Sequence, residues 1–118
     1  FTGDVANNRL VSPDSIVKCQ VSNVTFKAGA RTRWHIHTGT QILLCTAGHG
    51  WYQEKGKEAI SLTAGTTIVI HPGIEHWHGA SATSEFSHIS IIPNPKENKD
   101  TWLEPVSEDV YSDINTSF

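Results

Sequence analysis

Four histidines and a glutamine stand at spacings that suit a metal site. His35 and His37 are two residues apart, His76 and His78 repeat that spacing, and Gln41 follows four residues after His37. Because side chains alternate between the two faces of a strand, each histidine pair points to one side of its strand. Imidazole nitrogens and an amide oxygen are ligands that divalent first-row metal ions accept. These residues therefore predict a metal site whose chemistry is that of a Lewis acid assisted by proton transfer.

The number of histidines supports the same prediction. Seven occur in 118 residues, and six of them lie between Trp34 and Gly79. Several histidines facing one apolar interior without a metal would bury unpaired ring nitrogens, and protonating them would add mutual repulsion. A bound ion satisfies these nitrogens together. The alternative is a set of core histidines paired with other protein groups, with the amide of Gln41 bonded to the backbone.

Short strands separated by turns must position these residues. β-branched and aromatic runs alternate with glycine, proline and small polar residues, without a repeat or a long amphipathic helix. This pattern is typical of an antiparallel sandwich or barrel, whose inward face is the confined place where the histidines can meet. The predicted strands cover residues 17–26, 33–37, 41–46, 50–54, 58–62, 66–70, 76–78 and 86–92.

The segment after the last of these strands is predicted to be an extension of the barrel. Residues 93–100 are a polar break, residues 101–106 are predicted to form a further edge strand, and Ser107 is predicted to cap one short helical turn. The length of the chain suits one domain. We therefore expect residues 1–118 to form a single all-β domain, an antiparallel β-barrel with a short C-terminal extension.

Composition excludes several classes of function. The net charge is −3, only 18% of the residues are charged, and no basic cluster suggests nucleic-acid binding. No apolar run approaches the ~20 residues of a membrane span, and no signal segment is recognisable, so we expect a cytoplasmic protein. Cys19 and Cys45 form neither a CxxC motif nor a zinc-finger pattern. They are predicted to be reduced thiols, with a bridge between them as the alternative.

Two motifs resemble those of a known family, the cupins. The first motif consists of Gly29, His35, His37, Gln41 and Gly48, and the second of Gly65, His71, Pro72, Gly73 and His76. Gln41 stands where the family usually has glutamate, His71 where it has proline, and Ala80 where it has asparagine. The resemblance implies a jelly-roll β-barrel that holds one divalent metal on His35, His37, Gln41 and His76.

Several segments are more similar to the small manganese cupins that cleave or form cyanohydrins. These segments are residues 29–32, 34–37, 39–41, 46–48, 50–51, 72–73 and 76–80, and the similarity extends from residues 1–3 to 102–104. The run His-Trp-His-Gly-Ala also occurs in cupins near the carboxymuconolactone decarboxylase group. The resemblance implies manganese as the metal, with iron next, while zinc, nickel and cobalt are also compatible with these ligands.

His78 and His88 are the candidate catalytic residues. His78 shares a face with His76, and an imidazole beside a metal-bound hydroxyl can take its proton at neutral pH. His88 lies in the last long strand and is a candidate second base or a donor that orients cyanide. The alternatives are a histidine that only supports a metal ligand for His78, and a half-exposed strand histidine for His88.

Three functions compete for this site. The first is a hydroxynitrile lyase-like enzyme acting on small aromatic or aliphatic cyanohydrins. The second is a dioxygenase, usually with iron and the glutamate retained, against which Gln41 counts. The third is a non-enzymatic cupin that binds a small ligand or has a structural role. Retention of three histidines counts against a purely structural role, because a degenerate barrel can lose them without losing its fold.

The remaining residues have simpler expected roles. His49 and His71 are expected to be turn residues, and Trp34, Trp51, Trp77 and Phe86 are expected to be core residues. By analogy with the cyanohydrin cupins, Ser22, Val24 and Ile92 are expected to line the pocket. Arg31 and Arg33 are expected on a solvated face, with an anionic substrate as the alternative. The resemblance also implies a homodimer or homotetramer, in which residues 1–11 are candidates for strand exchange.

Overall fold

The computed structural model of the protein describes residues 1–116, and strands are its main regular structure, forming about half of the chain. Ten strands are followed by one helix, with a 3₁₀ turn over Pro95–Glu97. The elements are β1 Val5–Val11, β2 Cys19–Phe26, β3 His35–His37, β4 Gln41–Gly48, β5 Gly50–Glu54, β6 Ile60–Leu62, β7 Thr67–Ile70, β8 His76–Ala80, β9 Phe86–Pro93, β10 Asp100–Trp102 and α1 Glu108–Thr116.

The strands form two antiparallel sheets of five strands each. The first sheet has the order β1-β2-β9-β4-β7 and the second the order β10-β3-β8-β5-β6. Within residues 1–116 no ladder of hydrogen bonds joins the two sheets into one closed cylinder. This all-β arrangement is the jelly-roll type predicted from the sequence, with an interior between two sheets in place of a fully closed barrel.

Strand alternation divides the buried residues between two cores. The core between the sheets contains Phe26, Leu43, Ile70 and Phe86, together with other small and aromatic residues. The second core lies on the outer face of the second sheet, where Trp34, Trp51 and Trp77 pack with Val106 and Tyr111. The four aromatic residues expected in a core are therefore buried, but the three tryptophans pack outside the sandwich, under the C-terminal segment.

The C-terminal segment packs over these tryptophans, and its secondary structure differs from the prediction. The observed edge strand is shorter than the predicted one and begins one residue earlier, at Asp100. Where one helical turn was predicted, the structure has a nine-residue helix. Ser107 caps the helix as expected, since its Oγ accepts a hydrogen bond from the amide of Val110 at 3.2 Å. The hydroxyl of Tyr111 donates to the carbonyl of Ala80 at 2.5 Å and fastens the helix to β8.

Arg31 does not lie on the solvated face where it was expected. It is only 4% exposed, its guanidinium donates to Glu108 at 2.8 Å, and it lies 3.9 Å from the ring centroid of Tyr111. The arginine therefore joins the second sheet to α1. Arg33 is exposed as expected and donates to the carbonyl of Leu103.

Two further expectations concern the cysteines and the membrane. Cys19 and Cys45 are free thiols, and burial raises the pKa of Cys45 to about 11. In the part of the chain that the structure describes, no helix has the length and apolar character needed to span a bilayer.

Candidate metal centre

Three histidines converge between the sheets because β3 and β8 are antiparallel neighbours. His35 lies directly opposite His76 in the register of the two strands, and His37 follows on the same face of β3. The ring centroids of His35 and His76 are 4.2 Å apart, and that of His37 lies 4.8 Å from the first and 5.1 Å from the second. All three residues are at most 4% exposed.

The outer nitrogen of each ring has an acceptor that fixes its tautomer. Nδ1 of His35 lies 2.8 Å from the carbonyl of Arg33, and Nδ1 of His76 lies 2.9 Å from the carbonyl of Ile74. Nδ1 of His37 lies 2.5 Å from the carboxylate of Asp100. Since these oxygens accept hydrogen bonds, each Nδ1 carries the proton and each Nε2 has a free lone pair.

Three buried acceptor atoms on the candidate ligands have no hydrogen-bond partner. Nε2 of His37, Nε2 of His76 and Oε1 of Gln41 are buried and have no hydrogen-bond partner among residues 1–116. The Gln41 amide donates to the hydroxyl of Ser90 at 2.8 Å, which turns its oxygen away from Ser90. Acceptors that converge in this way without a donor fit a cation, because a cation satisfies them together.

Burial also keeps these rings in the form that binds metal. Desolvation lowers the pKa of His35 to about 4 and that of His76 to about 3, and the neighbouring imidazoles lower both pKa values further. Neutral imidazole is the form with a free lone pair. At pH 7 both rings are therefore ready to bind a divalent ion without first losing a proton.

A second grouping of ligand atoms overlaps the first. One ligand nitrogen each of His35, His76 and His78 lies within 4.8 Å of the others. The ring centroid of His78 is 5.8 Å from that of His35 and 6.1 Å from that of His76, farther than the ring of His37. His78 has no backbone or carboxylate acceptor at Nδ1 within residues 1–116, which leaves that atom unpartnered. His35, His37 and His76 thus have the closer ring centroids and an acceptor at Nδ1, whereas the grouping by ligand nitrogens has His78 in place of His37.

A cavity of about 170 Å³ gives access to this centre. Its lining includes four histidines, and Ser22, Val24, Phe26, Ile92 and Trp102 supply further lining side chains. A larger open groove of about 490 Å³ lies between the β5–β6 hairpin and α1, but it contains none of these histidines. The smaller cavity is therefore the candidate functional site, because it contains the histidines that could bind a metal or accept a proton.

His78 and His88 form a separate pair in the same cavity. Their ring centroids are 5.0 Å apart in an edge-to-face arrangement, and the ring of His88 stacks on Phe26. Nδ1 of His78 is buried without a partner within the described chain, and the ring of His88 meets no polar group there beyond the backbone of Ile89. Burial lowers the pKa of His78 well below its ordinary value and that of His88 to about 4. Both rings are neutral at pH 7.

Comparison with known families assigns the chain. The family model of the AraC-like ligand binding domain matches residues 27–109, well over half of the chain. The protein is an AraC-like ligand-binding cupin. This cupin is 35% identical over 111 residues to a protein of Granulicella tundricola named (R)-mandelonitrile lyase, a match that covers 94% of this chain and 85% of the relative.

Solved structures agree with this assignment. A cupin-like protein from Thermotoga maritima superposes with a TM-score of 0.91 at 41% identity, covering 96% of this cupin and 86% of that chain. Salicylate 1,2-dioxygenase from Pseudoaminobacter salicylatoxidans superposes with a TM-score of 0.71 at 16% identity. That match covers 83% of this cupin but only 29% of the dioxygenase, and it shows similarity of fold alone.

The structure places five of the six predicted site residues of this cupin in the lining of one cavity. Lining residues include His35, His37, Gln41, His78 and His88, and His76 adjoins them in the register of β8. Ser22, Val24 and Ile92 also line the cavity, in the positions that the family resemblance implied. His49 bonds to Ser61, and His71 is exposed, so neither belongs to the site.

Two residues near the metal centre were missed in the sequence. Asp100 bonds to His37, and Trp102 lies with its ring 4.7 Å from that of His35. They are two apart, as the histidines are, and strand alternation across Asp-Thr-Trp would have placed both on one face. The predicted strand began one residue too late, at Thr101, so Asp100 was assigned to the polar break.

Proposed function

We propose that this cupin is a metal-dependent lyase that cleaves cyanohydrins into an aldehyde and hydrogen cyanide, and catalyses the reverse addition. The observation that carries the proposal is the set of unpartnered buried acceptors on His37, Gln41 and His76, beside a neutral imidazole at His78. The name of the relative at 35% identity, (R)-mandelonitrile lyase, supports this reaction class over others that a cupin site could perform.

The metal would be held by His35, His37, Gln41 and His76, and manganese is the ion we propose. When bound, it would supply a Lewis acid that stabilises negative charge on the oxygen of the substrate. All four ligands are neutral, so none of them cancels charge of the ion. This neutral set favours polarisation of a hydroxyl or carbonyl oxygen, which is what cyanohydrin cleavage requires.

His78 is the proposed general base. Its neutral ring can accept the hydroxyl proton of the cyanohydrin, and the electrons of the O–H bond then form the carbonyl as the carbon–carbon bond breaks. Cyanide leaves with the electron pair of the broken carbon–carbon bond and takes the proton from the imidazolium to become hydrogen cyanide. His88, 5.0 Å away between ring centroids, is proposed to orient the cyanide as a ring N–H donor.

The cavity suits a small, partly apolar substrate. Val24, Phe26, Ile92 and Trp102 supply apolar surface, and about 170 Å³ accommodates one small aromatic or aliphatic molecule but not a polymer.

We also propose that the cupin forms a homodimer, or a homotetramer of two such dimers. The long exposed edge strand β1 supports this proposal.

The first test combines elemental analysis with an assay on one sample purified without added metal. We expect near-stoichiometric manganese, and cleavage of mandelonitrile that stops on chelation and returns when manganese is restored. Bound iron with oxygen uptake and no cyanide release would favour the dioxygenase. A protein that contains no metal and takes none up on reconstitution would contradict the metal site itself.

A variant of the base separates the two parts of the proposal. His78→Ala should lower the rate of cleavage by roughly 10²-fold or more, the size of a lost general base, while manganese binding persists. His71→Ala is the matched control, because His71 is an exposed histidine outside the cavity. Loss of manganese in His78→Ala would show instead that His78 is a ligand, as in the overlapping group with His35 and His76.

A further inference from the structure

Strand β10 lies against the metal centre although it belongs to neither sequence motif. It pairs antiparallel with β3, so Asp100 lies opposite His37 and Trp102 lies opposite His35. Both β10 side chains line the cavity, as do the two histidines. One three-residue strand from the C-terminal extension therefore contacts two of the residues proposed to hold the metal.

Asp100 differs in kind from the acceptors of the other two histidines. His35 and His76 each donate to a neutral backbone carbonyl two residues earlier in the chain, whereas His37 donates to a carboxylate. Asp100 is the single acidic residue among the described residues that line the cavity. It therefore brings a negative charge to a site in which Gln41, unlike a glutamate, brings none.

Trp102 fixes β10 where Asp100 is needed. Its ring centroid lies 4.7 Å from that of His35 at an interplanar angle of 34°, and 6.0 Å from that of Phe1. The aromatic contact and the strand register together place the carboxylate beside His37.

We propose that Asp100 is a positioning residue that raises the affinity of the centre for manganese, because its charge acts through His37 in place of the charge that Gln41 lacks. The inference rests on the proposed metal site but not on the lyase activity. A carboxylate bonded to the outer nitrogen of an imidazole makes the inner nitrogen a stronger donor to a cation and holds the ring in its orientation.

The test measures manganese(II) affinity of the purified cupin by competition with a fluorescent chelator, without substrate. Asp100→Asn keeps the size and an oxygen acceptor for His37 but removes the charge, and we expect its dissociation constant to rise roughly 10- to 100-fold. Glu97→Gln is the matched control. It removes one negative charge from the same connecting segment at an exposed residue that does not line the cavity, and its affinity should stay within about twofold of the wild type.

A rescue experiment distinguishes charge from simple structural support. Adding Gln41→Glu to Asp100→Asn returns one negative charge to the centre, and affinity should recover to near the wild-type value. Unchanged affinity in Asp100→Asn, equal losses in Asp100→Asn and Glu97→Gln, or failure of the rescue would each overturn the role of Asp100. A wild-type protein that binds no manganese would instead overturn the proposed function, whereas binding without mandelonitrile cleavage would leave the role of Asp100 intact.

Discussion

Hydrogen-bond partners divide the buried histidines into two kinds. His35, His37 and His76 each have an acceptor at Nδ1, so their orientation and tautomer are fixed. Within residues 1–116, Nδ1 of His78 lacks a partner, and the ring of His88 has no side-chain partner. Leaving buried polar atoms unsatisfied lowers stability, so these two side chains cost stability in the absence of a bound ligand.

The neutral burial of His88 predicts an acid-sensitive fold. Its pKa is about 4 in the folded protein and near 6.5 in the unfolded chain, so between these values only the unfolded chain takes up the proton. Stability contributed by the neutral ring is therefore present above pH 6.5 and is lost as pH falls toward 4. From these values, the neutral burial of His88 makes the free energy of unfolding about 2 kcal/mol smaller at pH 5 than at pH 7.5.

His88→Phe should remove this loss, because the phenyl ring keeps the stacking on Phe26 and has no proton to bind. The titratable groups that face His88 are His78 and, on the neighbouring strand β4, Cys45. Urea unfolding at pH 7.5 and pH 5 should show a drop in unfolding free energy about 2 kcal/mol smaller in His88→Phe than in wild type. The exposed His71→Asn serves as control. A drop of equal size in His88→Phe would contradict the neutral burial of His88.

The sequence predicts the histidines of the candidate metal centre better than it predicts the residues that contact them. Strand alternation is local and predicts that His35 and His37 share a face, whereas the resemblance to the family motifs predicts that His76 meets them. Asp100 reaches His37 from 63 residues away, and no local pattern indicates that contact. The burial of Arg31 also depends on a distant partner, Glu108.

At the level of elements, the same alternation explains why a helix covers the second sheet. In β8 the histidines face the cavity and Trp77 faces outward, where it packs with Val106 and Tyr111. The helix sequence EDVYSDINT contains several residues of low helix propensity, so the sequence indicated only one turn. The apolar outer face of the sheet stabilises the longer helix, and such tertiary packing is invisible to a local pattern.

Turn glycines of the two motifs give a prediction about β4 and its neighbours. Gly48 and Gly65 both have positive φ, 75° and 94°. A Cβ on Gly48 would lie 1.7 Å from the carbonyl oxygen of Glu85, whereas a Cβ on Gly65 meets nothing within 4 Å. Gly65→Ala should therefore cost only the left-handed backbone strain, about 1–2 kcal/mol.

Gly48→Ala should cost more than about 3 kcal/mol, because β4 and β9 must separate where Gly48 pairs with Phe86. Calorimetric unfolding of both variants beside the wild type gives the comparison. Equal destabilisation would show that backbone strain alone matters and that the close approach of Glu85 does not.

The whole molecule is elongated, with extents of 46 × 26 × 22 Å. β1 lies at the edge of the first sheet, and its residues after Val5 are all exposed. Natural edge strands are commonly protected by charge or proline, but β1 carries one charged residue, Arg9, and no proline. Apolar residues are also exposed around the connection to β2, namely Leu10, Val11, Ile16 and Val17.

This unprotected edge gives the prediction for assembly. Ile16 is 88% exposed, so Ile16→Asp should leave the fold of the protomer intact and weaken a contact between two copies. Sedimentation velocity at micromolar concentration should show a homodimer or homotetramer for the wild type and a shift toward monomer for Ile16→Asp. Ile60→Asp is the control, because Ile60 is 47% exposed on β6, at the edge of the other sheet. A wild-type monomer, or an equal shift in both variants, would contradict pairing through β1.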